Sequence, residues 1–170
     1  VTRADVAVVT NVSADHFGEY GVFSLDDLAQ VKLTVAKGLR PDGRLVLNAG
    51  DPMLLRHGEA LRGNTAWFAA DWNCAALQLK LDQGAAVCAV DNGHLSLHAD
   101  GIVHDLGKIE AMPLSCHGVA RYNIEKLAGV SVASPTPTNM RAKNSCQNER
   151  ARPQAPAAML QTTMPIAMIQ

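Results

Sequence analysis

Short apolar runs alternate with helix-period stretches through the first half of the chain. Asp5 to Thr10 (Asp-Val-Ala-Val-Val-Thr) is apolar and β-rich between polar flanks, the pattern of a strand buried on both faces. Ser24 followed by Leu25, Asp26 and Asp27 predicts a capped helix start, with the acidic pair where the helix dipole favours it. That helix is expected to run to Gly38, a suitable C-terminal stop. Arg44 to Ala49 reads as the next strand, closed by Gly50-Asp51-Pro52, with Pro52 in the first turn of a helix running toward Gly63. Thr65 to Ala69 reads as a third strand, and this rhythm implies right-handed crossovers and a parallel sheet.

From Ala85 the pattern changes. Ala86 to Asp91 and His94 to Ala99 flank Asn92-Gly93, a two-residue turn that needs positive φ, so a β-hairpin is predicted. Gly101 to Leu106 would add a third antiparallel strand after a tight turn at Asp100-Gly101. His117 to Ala128 reads as a loop feeding a helix with apolar positions at Val119, Ile124, Leu127 and Ala128. Beyond Ala133 no period survives, and Ser134 to Gln170 holds five of the eight prolines, so disorder is expected there. A reading-frame error and a genuine tail both fit so abrupt a change. The expected fold class is therefore α/β: a partial parallel sheet with flanking helices, a small antiparallel hairpin region and a disordered C-terminal tail, divided as 1–133 and 134–170. The chain opens almost directly on a strand, with Val1 at its head, so it is expected to begin partway through a larger domain.

Composition narrows the function. At 170 residues and 48% apolar content the chain can bury one core, and a formal charge of −1 argues against a broad basic footprint for nucleic acid. No window carries the roughly 20 apolar residues that span a bilayer, and Val1-Thr2-Arg3-Ala4-Asp5 lacks the layout of a signal peptide, so the cytoplasm is the expected location and no membrane partner is expected. Cys74, Cys88, Cys116 and Cys146 show no C-x-x-C pair and read as small buried hydrophobes.

Candidate chemistry begins at Asn11-Val12-Ser13-Ala14-Asp15-His16, a polar knot just after the first strand, where open α/β sheets keep their ligand chemistry. Lys32 falls seven residues after Leu25, on the stripe formed by Leu25, Leu28, Ala29, Val35 and Ala36. Either its stem lies on the core with the amine in water, or the amine is partly buried and its pKa lowered by desolvation, leaving it able to react. Asp51 is another end-of-strand carboxylate, and Asp-Pro is also ordinary turn chemistry. Asn123, near the start of the late helix, either reads a ligand base or caps backbone groups. His94 and His98, four apart on one strand, and His104 lack a third ligand nearby in sequence and read as surface residues. No G-x-x-x-x-G-K-[ST] and no G-x-G-x-x-G occurs, so the chain carries no phosphate-binding loop of its own.

Taken in order, DVAVVTNVSADHFGEYG, the helix with Lys32, RLVLNAGDP and HGVARYNIEKLAG resemble successive landmarks of the central, ATP-dependent domain of the Mur ligase superfamily. The resemblance covers residues 5 to about 133 and is nearest in flavour to the C-terminal half of the cyanophycin synthetases. It implies amide-bond formation, in which ATP phosphorylates a carboxylate and an amine, from an amino acid or peptide-like substrate, attacks the acyl phosphate, with Mg2+ neutralising phosphate charge. It further implies that His16 helps hold magnesium and that Lys32 matches a family lysine often carbamylated into an oxygen donor, which makes His16 and Lys32 the expected catalytic and metal positions. Asp51, within Asn48 to Pro52, and Asn123, within Tyr122-Asn123-Ile124-Glu125-Lys126, are the expected nucleotide-binding positions. Gly50, Tyr122 and Lys126 depart from the usual family residues at their places. The P-loop half expected before Val1 is absent, so a fragment inactive alone is expected, with its missing half or a second copy as partner.

Two other readings differ in class. One is a non-catalytic α/β interaction module that pairs through an exposed sheet edge. The other is a metal-dependent hydrolase built on Asp15, His16 and Asp51.

Overall fold

The computed structural model describes residues 3–14, 22–61 and 63–133, all within the first of two units of the chain, Val1–Pro137. Strands β1 (Ala4–Val9), β2 (Leu39–Asn48), β3 (Asn64–Asp71), β4 (Val87–Asp91), β5 (His94–Ala99) and β6 (Ile102–Lys108) form one sheet in sequence order. The first four run parallel, and β5 and β6 follow antiparallel. Helices α1 (Leu25–Leu33), α2 (Pro52–Gly58) and α3 (Ala75–Asp82) connect the parallel strands, and α4 (Arg121–Ala133) ends the described chain. The α/β expectation holds, with a mixed sheet of six strands. The tail expected over 134–170 lies outside the described residues.

The apolar runs of β2, β3 and β4 are buried on both faces, as their lack of alternation implies, but β1, expected to be buried likewise, lies at the edge of the sheet with Val8 41% exposed, because β2 covers only one of its sides. Leu45, Leu47, Trp67, Ala69, Val87 and Ala89 join Leu28 and Leu33 of α1, Leu54 of α2 and Leu77 of α3 in one core. Their alternate neighbours Val46, Ala66, Phe68 and Cys88 join Leu95 and Leu97 of β5 and Ile124, Ala128 and Val132 of α4 in a second. Successive side chains of a strand point to opposite faces, so three short runs supply both layers.

Local signals account for most element ends. Ser24 caps α1: its hydroxyl accepts from the Asp27 amide at 3.1 Å, while the Asp27 carboxylate accepts from the Ser24 amide at 3.0 Å. The α-helix stops at Leu33 and tightens into a 3-10 turn over Thr34–Gly38, short of the expected end. The Thr34 hydroxyl donates to the Val31 carbonyl at 2.6 Å, the kind of back-bond that competes with helix propagation at a β-branched pair such as Thr34-Val35. Val35 consequently leaves the apolar stripe and is 45% exposed. Helix α2 also stops early, at Gly58, where a Cβ would fall 2.5 Å from Leu47 Cδ1 and 3.0 Å from Trp67.

The hairpin forms as the turn chemistry predicts. Asn92 (φ 47) and Gly93 (φ 78) are both left-handed and pair Asp91 with His94, and Asp100 (φ 55) and Gly101 (φ 74) repeat the device between β5 and β6. Helix α4 starts after the expected loop and leaves Val119 81% exposed, with Ile124, Ala128, Gly129 and Val132 facing the sheet. Cys88 is a buried hydrophobe whose thiol burial pushes up to about 12, but Cys116 is exposed, which corrects the reading of it as a buried residue. Cys116 adopts a left-handed backbone (φ 49) in the loop before α4, where the nearby apolar side chains Leu114 and Val119 are exposed as well. Cys146 lies outside the described residues.

The two histidines of β5 are half-buried and partnered, and His104 on β6 is half-buried rather than a surface residue. His94 Nδ1 lies 3.0 Å from each Asp105 oxygen, and His98 stacks on Trp72 with ring centroids 4.2 Å apart. Desolvation, ahead of the opposing pull of Asp91, lowers the pKa of His98 below its ordinary 6.5. A base held neutral by the fold contributes stability that is fully present above the unfolded pKa and is lost as pH falls through the lower folded value. Denaturant midpoints measured from pH 8 down to pH 5 should therefore fall in the wild type, and fall less in His98→Phe, which keeps a ring on Trp72.

Candidate active site at the carboxyl rim of the sheet

Three side chains from separate elements meet the segment that follows β1. Asn48, the last residue of β2, donates from Nδ2 to the Thr10 carbonyl at 3.0 Å and accepts the Gly50 amide on Oδ1 at 2.8 Å. Asp51 caps α2 with Oδ1, which accepts from the amides of Met53 at 2.9 Å and Leu54 at 3.0 Å, and its Oδ2 accepts from the Val12 amide at 2.6 Å. Lys32, half-buried on α1, donates from Nζ to the Asn11 carbonyl at 3.0 Å. Asn11 in turn donates from Nδ2 to Ser13 Oγ at 3.0 Å.

This geometry answers the stripe puzzle at Lys32. Lys32 stands one turn beyond Leu28, half-buried, and its amine reaches the Asn11 carbonyl in the segment that follows β1. Helices α1 and α2 are tied together beneath it, where Asp26 Oδ1 lies 2.8 Å from His57 Nε2 and 3.4 Å from Arg56. The His57 hydrogen bond, chief among several causes, holds the Asp26 carboxyl below its usual range.

His16 and Asp15 lie outside the described residues. Asn123 is not part of this cluster. It sits at the start of α4 and donates from Nδ2 to the Leu114 carbonyl at 2.9 Å, so its amide caps backbone in this structure. Lys126 places its ammonium 3.9 Å from the centre of the exposed Tyr122 ring. Beside these residues a cavity of about 320 Å3 opens between the carboxyl ends of β3 and β4 and the start of α4, lined by Asp71, Val90, Glu110, His117, Arg121 and Ile124 among others. Behind it lies Ser115, fully buried, whose hydroxyl lies 2.5 Å from the carbonyl of Ile109, a lining residue, and 2.8 Å from that of Met112, and accepts the amide of Gly118, another lining residue, at 3.1 Å. Sequence reasoning missed Ser115, since a lone serine among loop residues carries no pattern.

It also missed α3 and Lys80. Cys74 at the α3 N-cap makes no side-chain capping bond, so the usual start signal is absent, although Gly84 (φ 84) just past its end is a stop signal. Lys80 is buried, donates to Glu59 Oε1 at 2.6 Å and Gln83 Oε1 at 3.3 Å, and lies 5.1 Å from the Trp67 ring centre. It borders a second cavity, of about 430 Å3, at the opposite, amino rim of β3 and β4.

Among the described residues no group of three His, Cys, Asp or Glu side chains could hold a metal. Lys32 as an amine is a donor, and the Asp51 oxygens are taken by amides, so the described part of the rim does not by itself fit a hard cation that wants oxygen ligands. Nor does Asp51 so engaged offer a free carboxylate to the hydrolase reading.

Parallel strands sandwiched by helices, with polar side chains gathered at the strands' carboxyl ends, define an α/β domain of the open-sheet class. Residues 1–105 match the Mur ligase middle domain family model, and the chain belongs to that family. It is similar to cyanophycin synthetases from Trichormus variabilis and Nostoc sp., each 32% identical over 131 residues, which is 77% of this chain and 14% of those proteins. It is 28% identical over 130 residues, 76% of the chain, to the cyanophycin synthetase of Geminocystis herdmanii, 15% of whose length it covers. The chain thus spans about a seventh of the length of the curated relatives it matches. No helix among the described residues is long and apolar enough to cross a membrane.

Proposed function

We propose that this chain is a catalytic-domain segment of an ATP-dependent carboxylate–amine ligase. The observation that carries the reading is the convergence of Lys32, Asn48 and Asp51 on Thr10–Val12, immediately ahead of Asp15 and His16, in a chain of the Mur ligase middle domain family. In the reaction the carboxylate oxygen takes the terminal phosphoryl group of ATP and ADP leaves. The amine nitrogen then attacks the acyl carbon, phosphate departs, and the amine sheds its proton. The amine donor is an amino acid or a peptide-like molecule.

In this reading Lys32 and His16 are the catalytic and metal positions. Magnesium, when bound, offsets the charge of the phosphates. Lys32 suits it only after its amine has added carbon dioxide, because a carbamate is an oxygen donor and an ammonium is not. Asn123 stands at the nucleotide's base side, where the 320 Å3 cavity opens beside α4. Asp51, with both oxygens on backbone amides, serves the nucleotide through the backbone it holds.

A phosphate cradle of backbone amides supplies much of the grip on ATP, and no P-loop sequence occurs in this chain. Calorimetric titration with a magnesium-bound, non-hydrolysable ATP analogue should therefore show feeble binding. Joining the chain to a P-loop-bearing upstream segment should restore ligation, and failure of every such joined protein to form an amide would defeat the reading. The cytoplasm is the proposed location.

The interaction-module reading keeps one observation in its favour: β1 and β6 border the sheet, and among the described residues no strand pairs with their outer edges. Light scattering at high concentration separates it, since a partner strand from a second copy would give a dimer mass.

A further inference from the structure

We infer that Asp51 is a positioning residue for Lys32, acting through the single peptide group that joins Asn11 to Val12. This rests on the reading of Lys32 as a working residue of the site. Capping α2 needs one oxygen, and Oδ1 supplies it to Met53 and Leu54. The second oxygen makes the shortest bond of the set, 2.6 Å to the Val12 amide, across 39 positions of sequence. Val12 is buried, so its N–H has no water to turn to if that oxygen is lost.

The carbonyl that receives Lys32 Nζ and the amide that Asp51 holds are the two ends of one peptide plane. A trans peptide is rigid, with its oxygen and its hydrogen pointing in opposite directions, and no cis bond occurs among the described residues. Fixing the N–H direction therefore fixes the direction of the C=O, and with it the seat of the Lys32 amine. The carboxylate at one end and the amine at the other also polarise the group between them, which strengthens both bonds.

The anchor is itself stiff. Asn48 and Asp51 belong to one turn, closed by Asp51 N to Asn48 O at 3.3 Å and Gly50 N to Asn48 Oδ1 at 2.8 Å, and Asn48 also holds the neighbouring Thr10 carbonyl. A serine or threonine would cap α2 comparably well, yet its single oxygen could not serve both the cap and Val12. The dual use accounts for a carboxylate at this position beyond its turn chemistry.

The test compares the wild-type chain with Asp51→Ser, which keeps a cap and removes the second oxygen. Lysines are trapped with dilute formaldehyde and cyanoborohydride, and labelling of Lys32 is read against exposed Lys37 by mass spectrometry, with Val12 amide exchange read by NMR. In the wild type Lys32 should label several-fold more slowly than Lys37. In Asp51→Ser the Val12 amide should exchange at least tenfold faster, and Lys32 should label several-fold faster relative to Lys37. Faster Val12 exchange with an unchanged Lys32 ratio, or unchanged Val12 exchange, would overturn the inference. If Asp51→Ser does not fold, Lys32→Met gives the converse measurement: removing the amine should move the Val12 amide proton upfield, and no movement would count against the coupling. Neither readout involves ATP or amide formation, so the ligase reading can fail without this inference, and the reverse.

Discussion

Phe68→Ala should remove about 3–5 kcal/mol of stability, read as a drop in the urea midpoint at unchanged slope, the range for emptying a phenylalanine site in a packed core. Phe68 lies at 0% exposure in the middle of β3. Its ring packs so closely beneath α4 that a Cβ on Gly129 would stand 3.1–3.3 Å from three ring atoms. Glycine there lets the helix backbone approach, at a cost of roughly 1 kcal/mol relative to alanine in a helix interior. With the ring gone, α4 can collapse only partly, because Ile124, Ala128 and Val132 hold it against the second core. A total stability of about 5–15 kcal/mol is usual for a domain, so this one change would take a large part of it. A loss under about 1 kcal/mol would mean that α4 does not pack as described.

Lys80→Ala should cost about 2 kcal/mol, while Lys80→Met should be close to neutral. Removing one partner of a fully buried ion pair costs roughly 3–5 kcal/mol, because the other charge is stranded. Here the Lys80 side chain is 7% exposed but that of Glu59 is 54% exposed, so Glu59 can turn to water and the loss falls below that range. What remains is the lysine stem and its place near Trp67, which methionine largely restores. Thermal melts of both variants check the pair. Equal large losses would mean that the charge itself, rather than the packing of the stem, holds α3 to α2.

The parts of this fold that were legible in the sequence are those whose signals are local. Ser24 and Asp27, Pro52, Asn92-Gly93 and Asp100-Gly101 each carry their conformation in one to four residues, and each element forms where those residues stand. Element ends were legible only where no side chain intervened. Thr34 turns its hydroxyl back on Val31, and Gly58 must meet Leu47 and Trp67, facts that belong to rotamers and packing rather than to period. Helix α3 escaped notice because Cys74 caps nothing. At the site, Lys32 was legible as an anomaly on an apolar stripe. Its partner was not, since the Asn11 carbonyl is a backbone group that no residue type announces. The bond from Asp51 to Val12 was hidden for the same reason, and of the Asp-Pro pair only the turn and the helix start at Pro52 were legible, not the cap that Asp51 provides.

Mapping amide and side-chain NMR shifts during titration with the magnesium-bound ATP analogue tests the central claim most directly. The account predicts weak, saturable shifts concentrated at the carboxyl rim, on Asn11, Val12, Lys32 and the start of α4 around Arg121 and Asn123. Shifts confined instead to the amino-rim cavity around Lys80 and Gly84, or none at millimolar ligand, would contradict it.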